Sequence, residues 1–517
     1  MEKVNVLWAD DEISHLKPHI LFLQEKGYDV TTANSGDEAL ELIAKKDFSI
    51  VLLDENMPGL SGLETLSRMK NLQPELPVVM ITKSEEETIM EDAIGSKISD
   101  YLIKPVNPKQ LLSSLKKTLD KKRLVSEKTM LNYQQEFRAI GASLSDRLSL
   151  KEWEDVYKKL TYWELELDKS NDDSMVEILK MQKTEANKLF GKYIEKNYVD
   201  WLNGKNDETP LLSHTLLKNK LLPMLEKEES VFLILIDNLR YDQWKLLQPI
   251  LNNYFRTDTE EIYFSILPSV TQYARNALFA GLMPSEIEKK FPTMWINDEE
   301  DEGKNLHEED FLAAQIKRWG KDIKMSYNKI TTHANGKKLA ENLGNLMGNK
   351  LNVIVYNFVD MLSHARTEME VMRELADDES AYRSLTVSWF EHSPLQDIMK
   401  QIAAKKGKVL LTTDHGTIKV SEPTKVIGDK NTNTNLRYKQ GKSLDYVAKD
   451  VFEIKNPADA FLPKQHVSTR FVFAKEDLFF AYPNNYNHYV TYYRNTFQHG
   501  GVSMEEMMIP VITLSSK

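Results

Sequence analysis

Short apolar runs alternate with amphipathic stretches over residues 1–120. The runs are Val4–Ala9, Val30–Ala33, Ile50–Leu53, Val78–Thr82 and Tyr101–Ile103, and stretches such as Gly36–Lys46 and Gly62–Leu72 between them repeat at helical intervals. Five strand-then-helix repeats without a tight hairpin signal predict a doubly wound parallel (βα)5 sheet. From about Pro108 to Leu222 the strand pattern disappears. Ser149 and Glu152 are spaced as a capping box, and Trp153, Val156, Tyr157, Leu160 and Trp163 recur at helical intervals behind them. A helical-bundle connector with an aromatic core follows, with a further helix over Met175–Leu202 and a loop over Gly204–Pro210. From about residue 223 the α/β pattern returns. The runs VFLILI, NVIVYNFV and VLLTTDHG release Asp237, Asp360 and Asp414 at or just beyond their carboxyl ends. A buried strand that ends in a carboxylate is how an α/β fold builds a site. Three segments are expected: 1–120, 121–209 and 210–517, the last an α/β domain with a central sheet.

Composition narrows the function. The chain has 517 residues, 41% hydrophobic and 28% charged, and no cysteine. Disulfides, thiolate catalysis and cysteine-based zinc sites are excluded, so a metal must be held by His, Asp, Glu or hydroxyl oxygen. A net charge of −11 argues against duplex-DNA binding through general electrostatics, though not against a local basic pocket. No basic helix-turn-helix face is present, so a transcription-factor output is not expected. No run approaches the roughly 20 apolar residues of a membrane span, and MEKVNVLWADDE does not read as a signal peptide. A bacterial-type cytoplasmic protein is expected.

The first segment collects chemistry at its strand ends. Asp10 and Asp11 close the first run, Asp54 follows the third, Thr82 ends the fourth, and Lys104 follows the fifth. Three converging carboxylates call for a hard divalent cation, Mg²⁺ above others. Asp54 could then accept a phosphoryl group whose oxygens Lys104 and Thr82 would hold. The motifs WADDE, LLDENMPGLSGLE, MITKSEE and DYLIKPVNPKQL resemble those of response-regulator receiver domains over essentially all of residues 1–120. The resemblance implies that Asp54 is the phospho-acceptor, that Asp10, Asp11 and Asp54 bind Mg²⁺, and that Thr82, Tyr101 and Lys104 form the switch.

In the last segment Asp360 and His364 are spaced i, i+4, and His499 lies in FQHGG, where glycines let the backbone approach an ion. Thr271 follows Pro268 where a helix is expected to begin, in a field that favours phosphate. With Asp237, Asp414 and His415, these residues offer enough nitrogen and oxygen ligands for two cations, zinc best and manganese second. A single histidine is more often structural, and His15, His19, His214, His307, His333, His392, His466 and His488 are read so, although the aromatic neighbours of His488 in YPNNYNHYV could equally line a substrate cleft.

The motifs IDNLRYDQW, LPSVTQYARNALFAG, NFVDMLSHA, TTDHG and QHGG resemble the PglZ branch of the alkaline phosphatase superfamily across roughly residues 210–517. That resemblance implies one zinc on Asp360, His364 and His499. It implies a second on Asp237, Asp414 and His415 together with Thr271, the nucleophile. Arg240 and Arg275 are candidates to contact substrate phosphate, with a surface cation or a buried ion pair as the equal alternative.

The order of receiver, connector and PglZ segment resembles PorX-type regulators of Bacteroidota. It implies a cognate sensor histidine kinase, phosphodiesterase activity on linear or cyclic nucleotides or oligonucleotides, and a link to type IX secretion and gliding motility. The competing expectation is a zinc-binding docking regulator for a sigma factor or secretion component, with the acidic run Asn297–Asp310 as a possible surface. Phospho-Asp54 is expected to favour a homodimer through the face at about residues 85–119.

Overall fold

The structure, a computed structural model, describes residues 4–73, 76–83, 98–145, 147–169, 173–206, 208–297, 304–369, 372–373, 378–428 and 432–517. Residues 85–97 of the expected dimer face and 298–303 of the acidic run lie outside them. The chain divides into two compact units, residues 1–134 and 135–517.

In the first unit β1 (Val4–Ala9), β2 (Tyr28–Ala33), β3 (Ile50–Asp54), β4 (Val78–Thr82) and β5 (Asp100–Ile103) form one sheet in the order β2-β1-β3-β4-β5. All four pairings are parallel. β3 and β4 are buried at every residue because helices cover both faces, which is why they read as unbroken apolar runs. The helices start where the caps dictate. Ser35 caps Gly36–Ile43, and Ser61 with Glu64 forms a capping box on Gly62–Leu72.

The connector helices Leu150–Asp168 and Asp173–Leu202 belong to the second unit, and the expected Ser149–Glu152 capping box starts the first of them. Their aromatic stripe is core, but the core is shared. Trp153 packs on Phe190 and Tyr193 with ring centroids 5.3 and 5.7 Å apart, while Tyr157 meets Tyr241 at 5.8 Å and Phe190 meets Phe264 at 6.1 Å. The sequence pattern suggested a self-contained bundle. The stripe instead binds the connector to the domain that follows it, because rings of this size bury far more apolar area against a sheet edge than two helices can offer each other.

The central sheet of that domain has β6 (Val231–Ile236), β7 (Phe255–Phe264), β8 (Met325–Ile330), β9 (Leu351–Tyr356), β10 (Lys408–Thr412) and a C-terminal strand, Met508–Ser516. Their order is β7, C-terminal strand, β10, β6, β9, β8. Four neighbouring strands are parallel, and the C-terminal strand runs antiparallel to both β10 and β7. The sheet is therefore mixed. Short strands between residues 418 and 498 make three small sheets beside it. Among the described residues no helix is long and apolar enough to cross a membrane.

Candidate active site

In the first unit, Asp54 is the last residue of β3, Asp10 follows β1, and Thr82 ends β4. Lys104 follows β5 and reaches back between the carboxylates. Its ammonium lies 2.8 Å from Asp10 Oδ2 and 2.9 Å from Asp54 Oδ1. The other Asp10 oxygen accepts from the Glu12 amide at 2.9 Å. Ligand oxygens of Asp10, Asp11 and Asp54 all fall within 4.8 Å of one another. Burial pushes the Asp54 carboxyl up despite its lysine partner. Burial would lower Lys104, yet its bonds to Asp10 and Asp54 raise it, so it stays charged. Glu55 passed unremarked in the sequence. Burial, and then the adjacent Asp54 charge, raise it to about 7. Thr82 is buried, and Tyr101 packs, half-buried, on the core cluster that includes Leu53 and Leu66.

In the second unit the site forms where β6, β9 and β10 end. Asp237 follows β6. Asp360 and His364 lie on the helix Phe358–Glu368 that follows β9, and Asp414 and His415 come two and three residues after β10. Thr271 is the first residue of the helix Thr271–Ala280. His499 is brought in by a clamped loop. Gly500 has φ of 122°, a conformation open to glycine, and its amide donates to Ser269 Oγ at 3.2 Å. Gly501 donates to Glu506 Oε1 at 2.9 Å, and Glu506 is itself paired with buried Arg437 at 2.6 Å.

Two ligand groups result. Asp360, His364 and His499 form one, and Asp237, Asp414 and His415 the other, each with ligand atoms within 4.8 Å. His364 and His499 each place Nε2 3.5 Å from Asp360. The His415 and His499 rings stack with centroids 4.4 Å apart, so the groups adjoin. Thr271 Oγ1 lies 3.1 Å from His415 Nε2. With Nδ1 donating to the Gly416 carbonyl at 3.1 Å, Nε2 keeps its lone pair for the cleft. The second group is wholly buried, whereas His364 is exposed and opens the first to solvent. Burial pushes Asp237 well up, with Asp414 and Asp360 adding to it against Arg275. Burial and its two histidine neighbours push His499 well below its usual range, which leaves the ring neutral.

Of the two readings of the arginines, the geometry matches the buried ion pair. Arg275 is fully buried, and its guanidinium is spent on carboxylates: Nε on Asp414 at 2.9 Å, Nη2 on Asp237, and Nη1 on Glu308 at 3.4 Å. Arg240 is buried between Asp242 and Glu379. Both guanidinium groups are thus held in buried ion pairs, Arg275 through all three of its nitrogens and Arg240 through Nε and Nη2. Two positioning groups went unnoticed in the sequence. Asn238, with φ of 62°, donates to Asp360 Oδ1 at 3.3 Å and to Ser363 Oγ at 3.2 Å, which joins the two ligand groups. Glu308 completes the Arg275 cluster.

Comparison with known proteins accounts for all three segments. Residues 6–116 match the response regulator receiver domain, residues 123–202 the PorX response regulator linker domain, and residues 216–514 the BREX system PglZ alkaline phosphatase-like domain. The transcriptional regulatory protein ZraR of Escherichia coli O157:H7 is 35% identical over 143 residues, 28% of this chain and 32% of that protein. The uncharacterized transcriptional regulatory protein YkoG of Bacillus subtilis is 36% identical over 121 residues, 23% of this chain and 52% of its own. Among solved structures, a CheY-like receiver domain protein from Methanospirillum hungatei JF-1 is 28% identical. It covers 23% of this chain and 96% of its own, with a TM-score of 0.23. A receiver domain implies a cognate histidine kinase, and a PglZ domain suggests a phosphoesterase. The chain belongs to the PglZ alkaline phosphatase-like family, in the receiver, linker and PglZ architecture of PorX-type response regulators.

Proposed function

We propose that the chain is a response regulator in which phosphorylation of Asp54 controls a two-zinc phosphodiesterase that uses Thr271 as nucleophile. Residues 1–120 would be the switch, 121–209 the connector and 210–517 the effector. Linear or cyclic nucleotides or oligonucleotides are the proposed substrates, and type IX secretion and gliding motility the processes served. Mg²⁺ would sit on Asp10, Asp11 and Asp54. The observation that carries the reading is Thr271 Oγ1, 3.1 Å from His415 Nε2 at a helix start, between two groups of three metal-type ligands.

The donors fit zinc. Asp237 Oδ1 is buried without a hydrogen-bond partner among the described residues, a costly state that a bound cation would relieve. Asp360, His364 and His499 would hold one ion, and Asp237, Asp414, His415 and Thr271 the other, three protein ligands with room for an oxygen being the catalytic pattern. Bound zinc would supply Lewis-acid stabilisation of phosphoryl charge and acidify a hydroxyl or water. The chain does the rest. Asn238 and Arg275 fix the carboxylates before substrate arrives. The Thr271 hydroxyl gives up its proton to solvent as its oxygen attacks phosphorus, a P–O bond forms to threonine, and the bond to the leaving alcohol breaks, with its oxygen taking a proton from solvent. Water then cleaves the phosphothreonine, releases a phosphomonoester and restores the hydroxyl.

Zinc content and hydrolysis of bis-p-nitrophenyl phosphate, on wild type and Thr271→Ala, test this. About two zinc ions per chain with turnover lost in the variant is the expected outcome. Turnover that survives in the variant would remove the nucleophile. Zinc without turnover in either protein, even after phosphorylation, would replace catalysis by docking to a sigma factor or secretion component.

A further inference from the structure

The helix Tyr486–Tyr493 has two aromatic faces with different fates. Tyr486, Val490 and Tyr493 pack on the apolar cluster of Ile418, Val420, Leu436, Phe479 and Ala481. That face is core. His488, Tyr489 and Tyr492 are not part of that cluster, and they form a continuous ring surface outside it. His488 stacks on Tyr492 with centroids 6.2 Å apart, Tyr492 meets Tyr493 at 4.8 Å, Tyr493 stacks on Tyr489 at 6.2 Å, and Tyr489 meets Tyr482 at 5.4 Å. His488 is exposed and Tyr489 and Tyr492 are half-exposed.

Cations accompany these rings. The Arg373 guanidinium lies over the Tyr492 ring 4.6 Å from its centroid, the Lys425 ammonium 4.7 Å from that of Tyr486, and the amine of Lys439, which burial pushes down to about 7, 4.7 Å from that of Tyr482. Arg373 differs from Arg240 and Arg275 in having no carboxylate partner among the described residues, and its Nε is buried without a hydrogen-bond partner. Its own segment is acidic, but the stretch that carries the rings is short of anions. Residues 478–504 contain no Asp or Glu, in a chain where acidic residues outnumber basic ones 78 to 67.

The surface is tied to the metal-ligand groups at both ends. Arg373 Nη2 donates to the Thr367 carbonyl at 2.6 Å, Thr367 Oγ1 donates to the Ser363 carbonyl, and Ser363 precedes His364. Gln498, beside His499, donates to Thr367 Oγ1 at 3.4 Å. At the other end Lys439 lies between Tyr438 and Gln440. The Tyr438 ring meets Tyr273 at 6.1 Å, and Tyr273 donates to Gln440 at 3.4 Å two residues after Thr271.

Flat rings with basic side chains over some of their faces, on a helix whose flanks carry no Asp or Glu, favour an anionic ligand that carries its own planar rings. Every nucleobase has a π-face, and stacking on tyrosine or histidine tolerates sequence, while arginine holds the adjoining phosphate. We propose that His488, Tyr489 and Tyr492 form a nucleobase-stacking subsite for single-stranded nucleotide substrates, with Arg373 holding the phosphate next to the stacked base. This rests on the phosphodiesterase reading and gives its nucleotide substrates a base-binding subsite, which hydrogen bonds through Thr367 tie to the residues next to His364 and His499.

Binding tests it without hydrolysis. Anisotropy of a fluorescein-labelled oligodeoxyadenylate of five nucleotides, against an abasic oligomer of equal length and charge, would be followed on full-length zinc-loaded protein, every sample carrying Thr271→Ala so that the oligomers stay intact. The wild-type subsite should bind the base-bearing oligomer about tenfold or more tightly than the abasic one. Tyr492→Ala should abolish that preference, Tyr492→Phe should keep it, and Arg373→Gln should weaken both oligomers alike. His488→Ala, at an exposed position, serves should Tyr492→Ala fold poorly, and it should reduce the preference. Equal wild-type affinity for the two oligomers, or a preference that survives Tyr492→Ala and His488→Ala, would overturn the subsite. Base-dependent binding, where protein with Thr271 intact cleaves no phosphodiester, would keep the subsite and remove the catalytic reading.

Discussion

Arg275 shows what single side chains do in this site. It lies in the interior and neutralises two carboxylates proposed to bind metal, Asp237 and Asp414, with Glu308 as a third partner. Breaking one side of a buried ion cluster costs about 3–5 kcal/mol, because the other charges stay buried without compensation. Bound zinc would supply that compensation. Arg275→Met should therefore lower the melting temperature of chelator-treated protein much more than that of zinc-loaded protein. Equal losses in the two states would show that Arg275 does not share its carboxylates with an ion. The residue scale also marks what the sequence reveals. Asp54, Asp237 and Asp414 were legible because each ends or follows an apolar run, and Asp360 with His364 because i, i+4 spacing on a helix brings both side chains to one place. Arg240 and Arg275 were not legible, since a motif shows proximity to a site but not which carboxylate consumes a guanidinium. Arg373 was invisible for the opposite reason: its partner Tyr492 is far away in the chain.

At the scale of elements, charge fastens the connector. Arg383, on the helix Glu379–His392, reaches Glu164 at 2.8 Å and Asp168 on the connector helix, and Asp242 at 3.1 Å on the helix Tyr241–Leu251. Lys183 on the second connector helix joins Glu164 at 2.7 Å and Glu505 at 3.3 Å, and Asn187 exchanges hydrogen bonds with Glu505 and the Met504 amide. Arg383→Ala should cost about 3–5 kcal/mol. Amide hydrogen exchange should rise first over residues 150–202, with β6, β9 and β10 still protected. Uniform loss of protection would mean that the connector is not a separable layer. Periodicity predicted both connector helices well, since two long helices with one aromatic stripe give a strong signal. It could not tell which surface that stripe would meet. The small sheets between residues 418 and 498 escaped because strands of two to six residues have too few positions to show alternation.

For the molecule as a whole, the Lys104 bridge to Asp10 and Asp54 is the contact that the proposed phosphorylation of Asp54 would rearrange. A phosphoryl group on Asp54 adds charge and oxygen acceptors beside an ammonium already raised by its carboxylate partners. Sedimentation of protein treated with acetyl phosphate and Mg²⁺ should show a shift from monomer to dimer, absent in Asp54→Asn. An unchanged monomer would remove dimerisation from the switch.

The order of strands in the central sheet has a consequence in time. Met508–Ser516 sits between β10 and β7, yet it follows β7 by roughly 240 residues. At about 5–20 residues per second of synthesis, β7 waits roughly 12–50 seconds for its neighbour in the sheet, and β10 keeps one apolar edge open until the same moment. A receiver whose strands are all made within the first hundred or so residues can fold long before. The switch is thus complete on the ribosome while the effector is still an open, adhesive sheet, and cellular chaperones would meet this protein through its second half.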